Sequence, residues 1–343
     1  MEKINIRSPY FIKYTDAVND YVKLELFIYD GSSVTDRGAA TYTLQKTIPV
    51  NVATFEVSEL IRDYLDVRFS GGYASYMIWV DYRFTPGTVA SGDGAPLAYN
   101  VCEAYDGYGY FNEGAQTPTN QYNEDLALIS NDIIYHYVSK ALLIPIRRDS
   151  IYTVVSKLNG VQQAITNVTD DVDYIDRVQY LSYNTNTTPI DELLIDGTRS
   201  IRVELIEECK YEPIKVTFVN KFGALQDIWF FKNNSSSISA KSTDYKSNLM
   251  VNDTYNTTFH QNTILNINGS EKLTINSGFY PESYNEVFKQ LLLSEKVWIL
   301  VDSVTYPVKI TSKSLKFKTQ LNEKLIEYAL DLEFSNDIIN NIR

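Results

Sequence analysis

Only two cysteines and two histidines occur among 343 residues, beside three tryptophans and three methionines. The thiols, Cys102 and Cys209, have no metal-like spacing and suit a reducing compartment, although sequence alone leaves a disulfide between them open. His136 and His260 stand far apart without a Cys or His at ligand distance along the chain. Zinc takes three or four such ligands, so no metal site is expected. No run of about 18 uncharged apolar residues is present, which excludes a membrane-spanning helix. The opening stretch, MEKINIRSPYFIKYTD, has no apolar core of signal-peptide length, so synthesis in the cytoplasm is expected. Without a secretory signal, the Asn-x-Ser/Thr sites, such as Asn167, Asn186, Asn252 and Asn256, reflect composition and not glycosylation.

Basic residues are also in the minority, with 31 Lys and Arg against 43 Asp and Glu and a net charge of −12. No basic stripe interrupts this, which disfavours nucleic-acid binding through phosphates. Gly107 and Gly109 in DGYGYF lack the third glycine and the strand–helix setting of a dinucleotide fingerprint. No phosphate loop and no GxSxG serine occur. Carboxylates cluster at Glu124-Asp125, Asp170-Asp171-Asp173, Asp191-Glu192 and Glu207-Glu208. Glu207 and Glu208 would point to opposite faces of a strand. The Asp170 group lacks the spacing of a calcium loop. These clusters read as solvated surface, and no catalytic residue or cofactor is expected.

What the chain has in quantity is tyrosine, 27 against 15 phenylalanines. Tyrosine suits half-buried pleated surfaces and interfaces, where the ring packs and the hydroxyl stays wet. An AT-rich coding bias, which raises Tyr, Asn, Lys and Ile together, would account for it equally well. With 44% hydrophobic residues, the length gives two domains, or at most three, each with its own core.

Strand signals dominate the first two thirds. Segments 21–30, 41–49, 74–84, 137–147, 151–157, 176–183 and 200–207 read as strands, the third ending at Pro86-Gly87. Ser58 is placed to cap a helical turn carrying Leu60, Ile61 and Tyr64. There is no βαβ rhythm, so the pattern predicts a mainly β protein with one or two β-sandwich-like subdomains over 1–208. A smaller α+β domain, 209–343, follows. It opens with a hairpin, KVTFVNKFGALQDIWFFK (Lys215 to Lys232), and holds one amphipathic helix within Gly278 to Ser294. Pro281 suits the first turn of that helix, and Glu282 and Glu286 suit the positive end of its dipole. Tyr284, Val287, Phe288, Leu291 and Leu292 mark a face to be packed on the domain's sheet. The polar stretch 233–276 reads as strands plus an extended excursion, with 256–268 as the better strand.

Loop 105–114 and the hairpin supply the interaction candidates: Tyr105, Tyr108, Tyr110, Phe111, Phe222, Trp229 and Phe230. Rigid aromatic side chains at loop tips make efficient protein anchors, though a plain surface loop fits the glycine-tyrosine run as well. Tyr105, Tyr108 and Tyr110 would equally serve as a sugar-stacking platform in a receptor- or carbohydrate-binding module of a tail fibre or adhesin. Absent fibrous repeats and a missing Trp-rich loop weigh against that alternative.

Three segments together resemble virion structural proteins of tailed phages that infect Bacteroidetes, the crAss-like type. They are VTFVNKFGALQDIWFF (Val216 to Phe231), GFYPESYNEVFKQLLLSEKVWIL (Gly278 to Leu300) and the tail from Tyr306 to Arg343, which ends in Asn-Ile-Arg. The shared features are an aromatic Asn-x-x-Gly hairpin, a helix ending before a Ser-x-x-Val-Trp strand, and that final tripeptide. The likeness covers about the last 130 residues well and the rest loosely. It implies a non-enzymatic neck or tail protein of the virion, made in the host cytoplasm, connecting portal and tail. As partners it implies copies of itself in a homo-oligomeric ring, a dodecamer being one form, and neighbouring portal, ring or tail proteins. Closed rings use heterologous interfaces, for which sheet faces, edges and tyrosine-rich loops are suited.

Overall fold

A computed structural model describes residues 1–30, 36–121, 125–170, 177–250, 252–312 and 325–340. As the alternation predicts, the fold is mainly β, 53% strand and 7% helical. The expected features at Glu124, at Asp171 and Asp173 and at the final Asn-Ile-Arg lie outside the described residues.

The N-terminal part contains β1 (Glu2–Asn5), β2 (Phe11–Thr15), β3 (Tyr21–Tyr29), β4 (Tyr42–Thr47) and β5 (Val52–Glu56). A one-turn helix α1 (Ser58–Arg62), β6 (Ile78–Thr88), β7 (Gly92–Asp93) and β8 (Asn100–Tyr105) follow. One sheet runs β1-β8-β6-β3-β4, with β7 on β6, and β2 pairs with β5 separately. Period-two patterning aims Val22, Leu24 and Leu26 of β3 inward, where they join Val80, Cys102, Ile12 and Phe55 in one core. Two expectations fail locally. β6 runs through Pro86 to Thr88, because Pro86 pairs opposite Val22 and the Tyr21 ring fills the space beside Gly87 that a Cβ would need. Ser58 does not cap α1. It is the first helical residue, and its hydroxyl donates to the Glu56 carboxylate.

The middle part adds β9 (Ile133–Tyr137), β10 (Ala141–Arg147), β11 (Tyr152–Leu158), β12 (Val161–Val168), β13 (Val178–Asn184), β14 (Glu192–Ile195) and β15 (Arg199–Ile206). The sheet β12-β11-β14-β15-β9 shares a core with the β10-β13 pair through Leu142, Ile144, Val154, Leu193 and Ile201, which gives a second two-layer sandwich. Asn159-Gly160 and Asp196-Gly197 have positive φ at both positions, the backbone that two-residue hairpins require. The single strand expected over 137–147 is two strands, separated by a turn at 138–140. Buried His136 sits at that break, its Nε2 2.8 Å from the Lys140 carbonyl.

The remaining elements are β16 (Ile214–Val219), β17 (Leu225–Phe230), β18 (Asn234–Lys246), β19 (Asn262–Pro281), α2 (Asn285–Leu293), β20 (Val297–Val301), β21 (Val304–Ile310) and β22 (Leu325–Phe334). They give a sheet ordered β17-β16-β20-β21-β22-β19-β18. The strand expected over 256–268 begins only at Asn262, and Pro281 ends β19 instead of opening the helix. A 3₁₀ turn, Glu282–Tyr284, intervenes before α2.

Two compact units emerge. The first groups Met1–Glu207 with Thr217–Ile228 and Ser283–Ser294, and the second groups Glu208–Val216 with Trp229–Glu282 and Glu295–Arg343. The first break between the units falls at 207/208, and the hairpin tip and the helix of 209–343 group with the first unit. Tyr284, Val287, Phe288 and Leu291 are buried, whereas Leu292 is only half-buried and Leu293 is exposed. Phe288→Ala should accordingly cost roughly 3–5 kcal/mol in denaturant unfolding. Leu293→Ala should stay within about 0.5 kcal/mol.

Candidate interaction site

The turn of the β16–β17 hairpin is built by Asn220 and Gly223. Asn220 is fully buried; its backbone N–H donates to the Ala224 carbonyl and its side-chain oxygen accepts the N–H groups of Phe222 (3.0 Å) and Ala224 (3.2 Å). The side-chain amide donates outward to the Leu128 carbonyl, 2.7 Å away. One side chain thus closes the turn and ties it to the loop before β9. Gly223 has φ +78, which suits glycine, and a Cβ there would lie 2.9 Å from the Tyr105 Cβ and 3.0 Å from the Asp106 nitrogen. The Asn-x-x-Gly signature is a seat for loop 105–114.

That loop settles on the seat through its own glycine. A Cβ on Gly107 would strike the Asn5 side chain and come within 2.8 Å of the Lys221 carbonyl. The Lys221 carbonyl accepts the Tyr108 N–H at 2.9 Å, and the Gly107 carbonyl accepts the Arg7 N–H at 3.1 Å. Buried Gln116 completes the frame, accepting from the Asn5 backbone and amide at 3.0 Å and donating to the carbonyls of Asn5 and Ser8.

Helix α2 joins through polar groups. Gln290, fully buried, accepts the Lys221 N–H at 3.2 Å and donates to Glu286 at 3.0 Å. The same Glu286 oxygen accepts the Tyr110 hydroxyl at 2.5 Å. The Arg7 guanidinium donates to the Leu293 carbonyl at the helix C-terminus, where a cation is favoured. The Tyr284 hydroxyl accepts the Tyr135 N–H, tying the turn before α2 to β9.

The expected interaction residues divide sharply. Tyr105, Tyr108 and Phe222 are buried within the first unit, and Trp229 and Phe230 are buried in the hairpin sheet. Tyr110 is half-buried, its ring facing the Lys289 ammonium at 3.4 Å and the Lys221 ammonium at 4.6 Å. Lys221 also pairs with Glu113. Among the seven, only Phe111 projects completely into solvent. Five therefore act as packing, and the Tyr110 face is already occupied by cations. The sequence pattern could not reveal this, because a glycine-tyrosine run looks alike whether its rings face outward or rest on a hairpin.

Beside the loop lies a polar cleft of about 340 Å³ lined by Arg7, Ser8, Pro9, Glu56, Glu59 and Arg62, among others. One Glu56 oxygen already accepts from the Tyr10 and Ser58 N–H groups.

Beneath Tyr105 is a buried ionic cluster that no motif announced. The Tyr105 hydroxyl donates to Glu103 at 2.6 Å, Arg177 lies 3.0 Å from the other Glu103 oxygen, and Lys3 reaches Asp149 at 2.8 Å. Arg147, almost wholly buried, sits 3.8 Å from Asp149 with its guanidinium 5.8 Å from the Tyr105 ring centre. Burial opposes ionisation of Asp149, but Lys3 and the two arginines outweigh it and hold that carboxyl below its ordinary range. Burial and the Arg147 charge, in turn, draw the Lys3 ammonium down.

Cys102 and Cys209 are both free thiols. Burial pushes the Cys102 thiol well up, away from thiolate chemistry. Among the described residues no group of three or more His, Cys, Asp or Glu is placed to hold a metal, and no helix is long and apolar enough to cross a membrane. No family model, curated protein or solved structure matches the chain.

Two outcomes are expected of this site. Gly223→Ala combines a left-handed backbone with a backbone collision and should cost at least about 2 kcal/mol in chemical denaturation. The second concerns pH. Burial pushes the Tyr108 and Tyr14 hydroxyls up to about 12, and burial together with Glu286 carries Tyr110 further. Raised folded values favour the neutral phenols, so their contribution is complete below the unfolded value near about 10 and disappears as pH climbs through about 12. Thermal unfolding midpoints should be level from neutrality to about pH 10 and fall beyond it. Tyr108→Phe should make that fall shallower.

Proposed function

We propose that this chain is a non-enzymatic structural component of a tailed-phage virion, a ring-forming neck or tail protein that connects portal and tail. The observation carrying this reading is the junction of Asn220, Gly223, Tyr108, Tyr110 and Gln290. Two of the three segments that resemble virion proteins, the hairpin and the helix, meet there, joined by backbone and side-chain hydrogen bonds. Such a junction makes a rigid body suited to transmitting contacts. The net charge of −12 agrees with a ring whose lumen does not trap phosphate.

Electron microscopy of the purified chain, and of phage particles labelled with an antibody to it, tests the proposal. Closed oligomers, or label at the neck or tail, are the expected result. A monodisperse monomer that binds glycans on an array, with particles unlabelled, would overturn it.

A further inference from the structure

Among the described residues, β18 and β12 each end a sheet with an edge exposed over most of its length. β18 ends its seven-stranded sheet, and twelve of its thirteen residues are exposed. β12 ends the five-stranded sheet of the first unit, with Val161–Ile165 exposed throughout. An uncovered edge offers unpaired N–H and C=O groups to any passing strand, and native proteins block it with lysine, proline, a bulge or brevity. Neither β12 nor the first seven residues of β18 carries a lysine or a proline, although β12 bulges at Gln163, where Ala164 pairs with Ser156 and Gln162 with Lys157. β12 reads VQQAITNV, with no charge and no proline, and the first seven residues of β18 read NSSSISA. The one irregularity of the β18–β19 arm, at Thr243/Asp244, lies beyond them.

The arm also carries an apolar stripe. Opposite residues of an antiparallel pair share a face, and the pairs Ile238–Glu271, Ser242–Ile267 and Asp244–Ile264 place the three isoleucines together. They are 73%, 46% and 55% exposed. Ile338, half exposed, donates its N–H to Gly269 on the same arm and extends the stripe. On β12, Val161 and Ile165 are likewise exposed.

Charge identifies the occupant. Segment 234–276 holds Lys241, Lys246 and Lys272 against Asp244, Asp253 and Glu271, so it is neutral in a chain of net charge −12. β12 is uncharged. Two acidic copies repel one another over most of their surfaces, and these edges are where they meet without that cost. We propose that a second copy of this chain covers the arm, the 234–240 edge of one copy adding as a strand to β12 of the next. Each copy then offers one donor edge and one acceptor edge, in different units, which is a heterologous contact that propagates head to tail and closes into a ring where the rotation permits. The contact rests on the ring reading above and gives it a mechanism.

Lysines on exposed edge positions test it without touching either core: S235K with S237K on the arm, and Q163K with I165K on β12. Sedimentation of the full chain should show oligomers for the wild type and monomers for each double variant, with unchanged thermal unfolding. An equimolar mixture of the two variants, which retains one intact donor edge and one intact acceptor edge, should yield a dimer and nothing larger. Oligomers that survive either pair of lysines overturn the edge contact while the ring reading stands. Loss with the arm variant alone overturns the pairing with β12. A wild type that stays monomeric at every concentration overturns contact between copies, and the virion reading is then judged separately by the labelled particles.

Discussion

The seating of loop 105–114 on the β16–β17 turn is the constraint on which the first unit depends. Two missing Cβ atoms permit it, at Gly107 and Gly223; the Asn220 amide shapes the turn, and the Lys221 carbonyl holds the loop by accepting the Tyr108 N–H. With the loop in place, Tyr105 shares a buried cluster with Leu128, Val178, Phe222 and Ala224, drawing on both sandwiches and the hairpin. Tyr108 and Tyr110 then stack edge to face at 5.8 Å and present the phenol to Glu286. Were the turn wider, the strands would still form, but the helix would lose Gln290 and Glu286 as points of attachment.

Polar groups are therefore used here as locators. The cluster of Lys3, Glu103, Arg147, Asp149 and Arg177 is not an efficient source of stability, because desolvating charges offsets much of what their pairing gains. Its geometric effect is clearer. Lys3 of β1 reaches Asp149 just after β10, and Glu103 of β8 meets Arg177 just before β13, so the two ion pairs tie these strand ends together, while among the described residues the Arg147 guanidinium makes no hydrogen bond. A hydrophobic replacement would pack as well and specify less.

Much of the architecture was legible along the chain. Alternation marked β3, and strand-rich composition between turn signals marked β11, β13 and β15 closely. Legibility failed where tertiary partners overrule local signals. Pro86 continues β6, and Pro281 closes a strand instead of opening a helix. The polar arm β18–β19 was read as strands but without correct bounds, since strands exposed on both faces have no burial to impose alternation. Of the site, the hairpin signature and the Tyr-rich loop were visible as separate motifs. That one is the seat of the other was not, for their contact spans more than a hundred residues.

The sequence by itself determined the β class, the hairpin turn at Asn220 and Gly223 and the single amphipathic helix, because each follows from composition or short-range patterning. Tertiary structure alone decided that the helix joins the first unit and that the aromatic candidates face inward except Phe111. It also decided which strand edges are left open. Burial and edge position are properties of who packs against whom, and no local pattern encodes the partner.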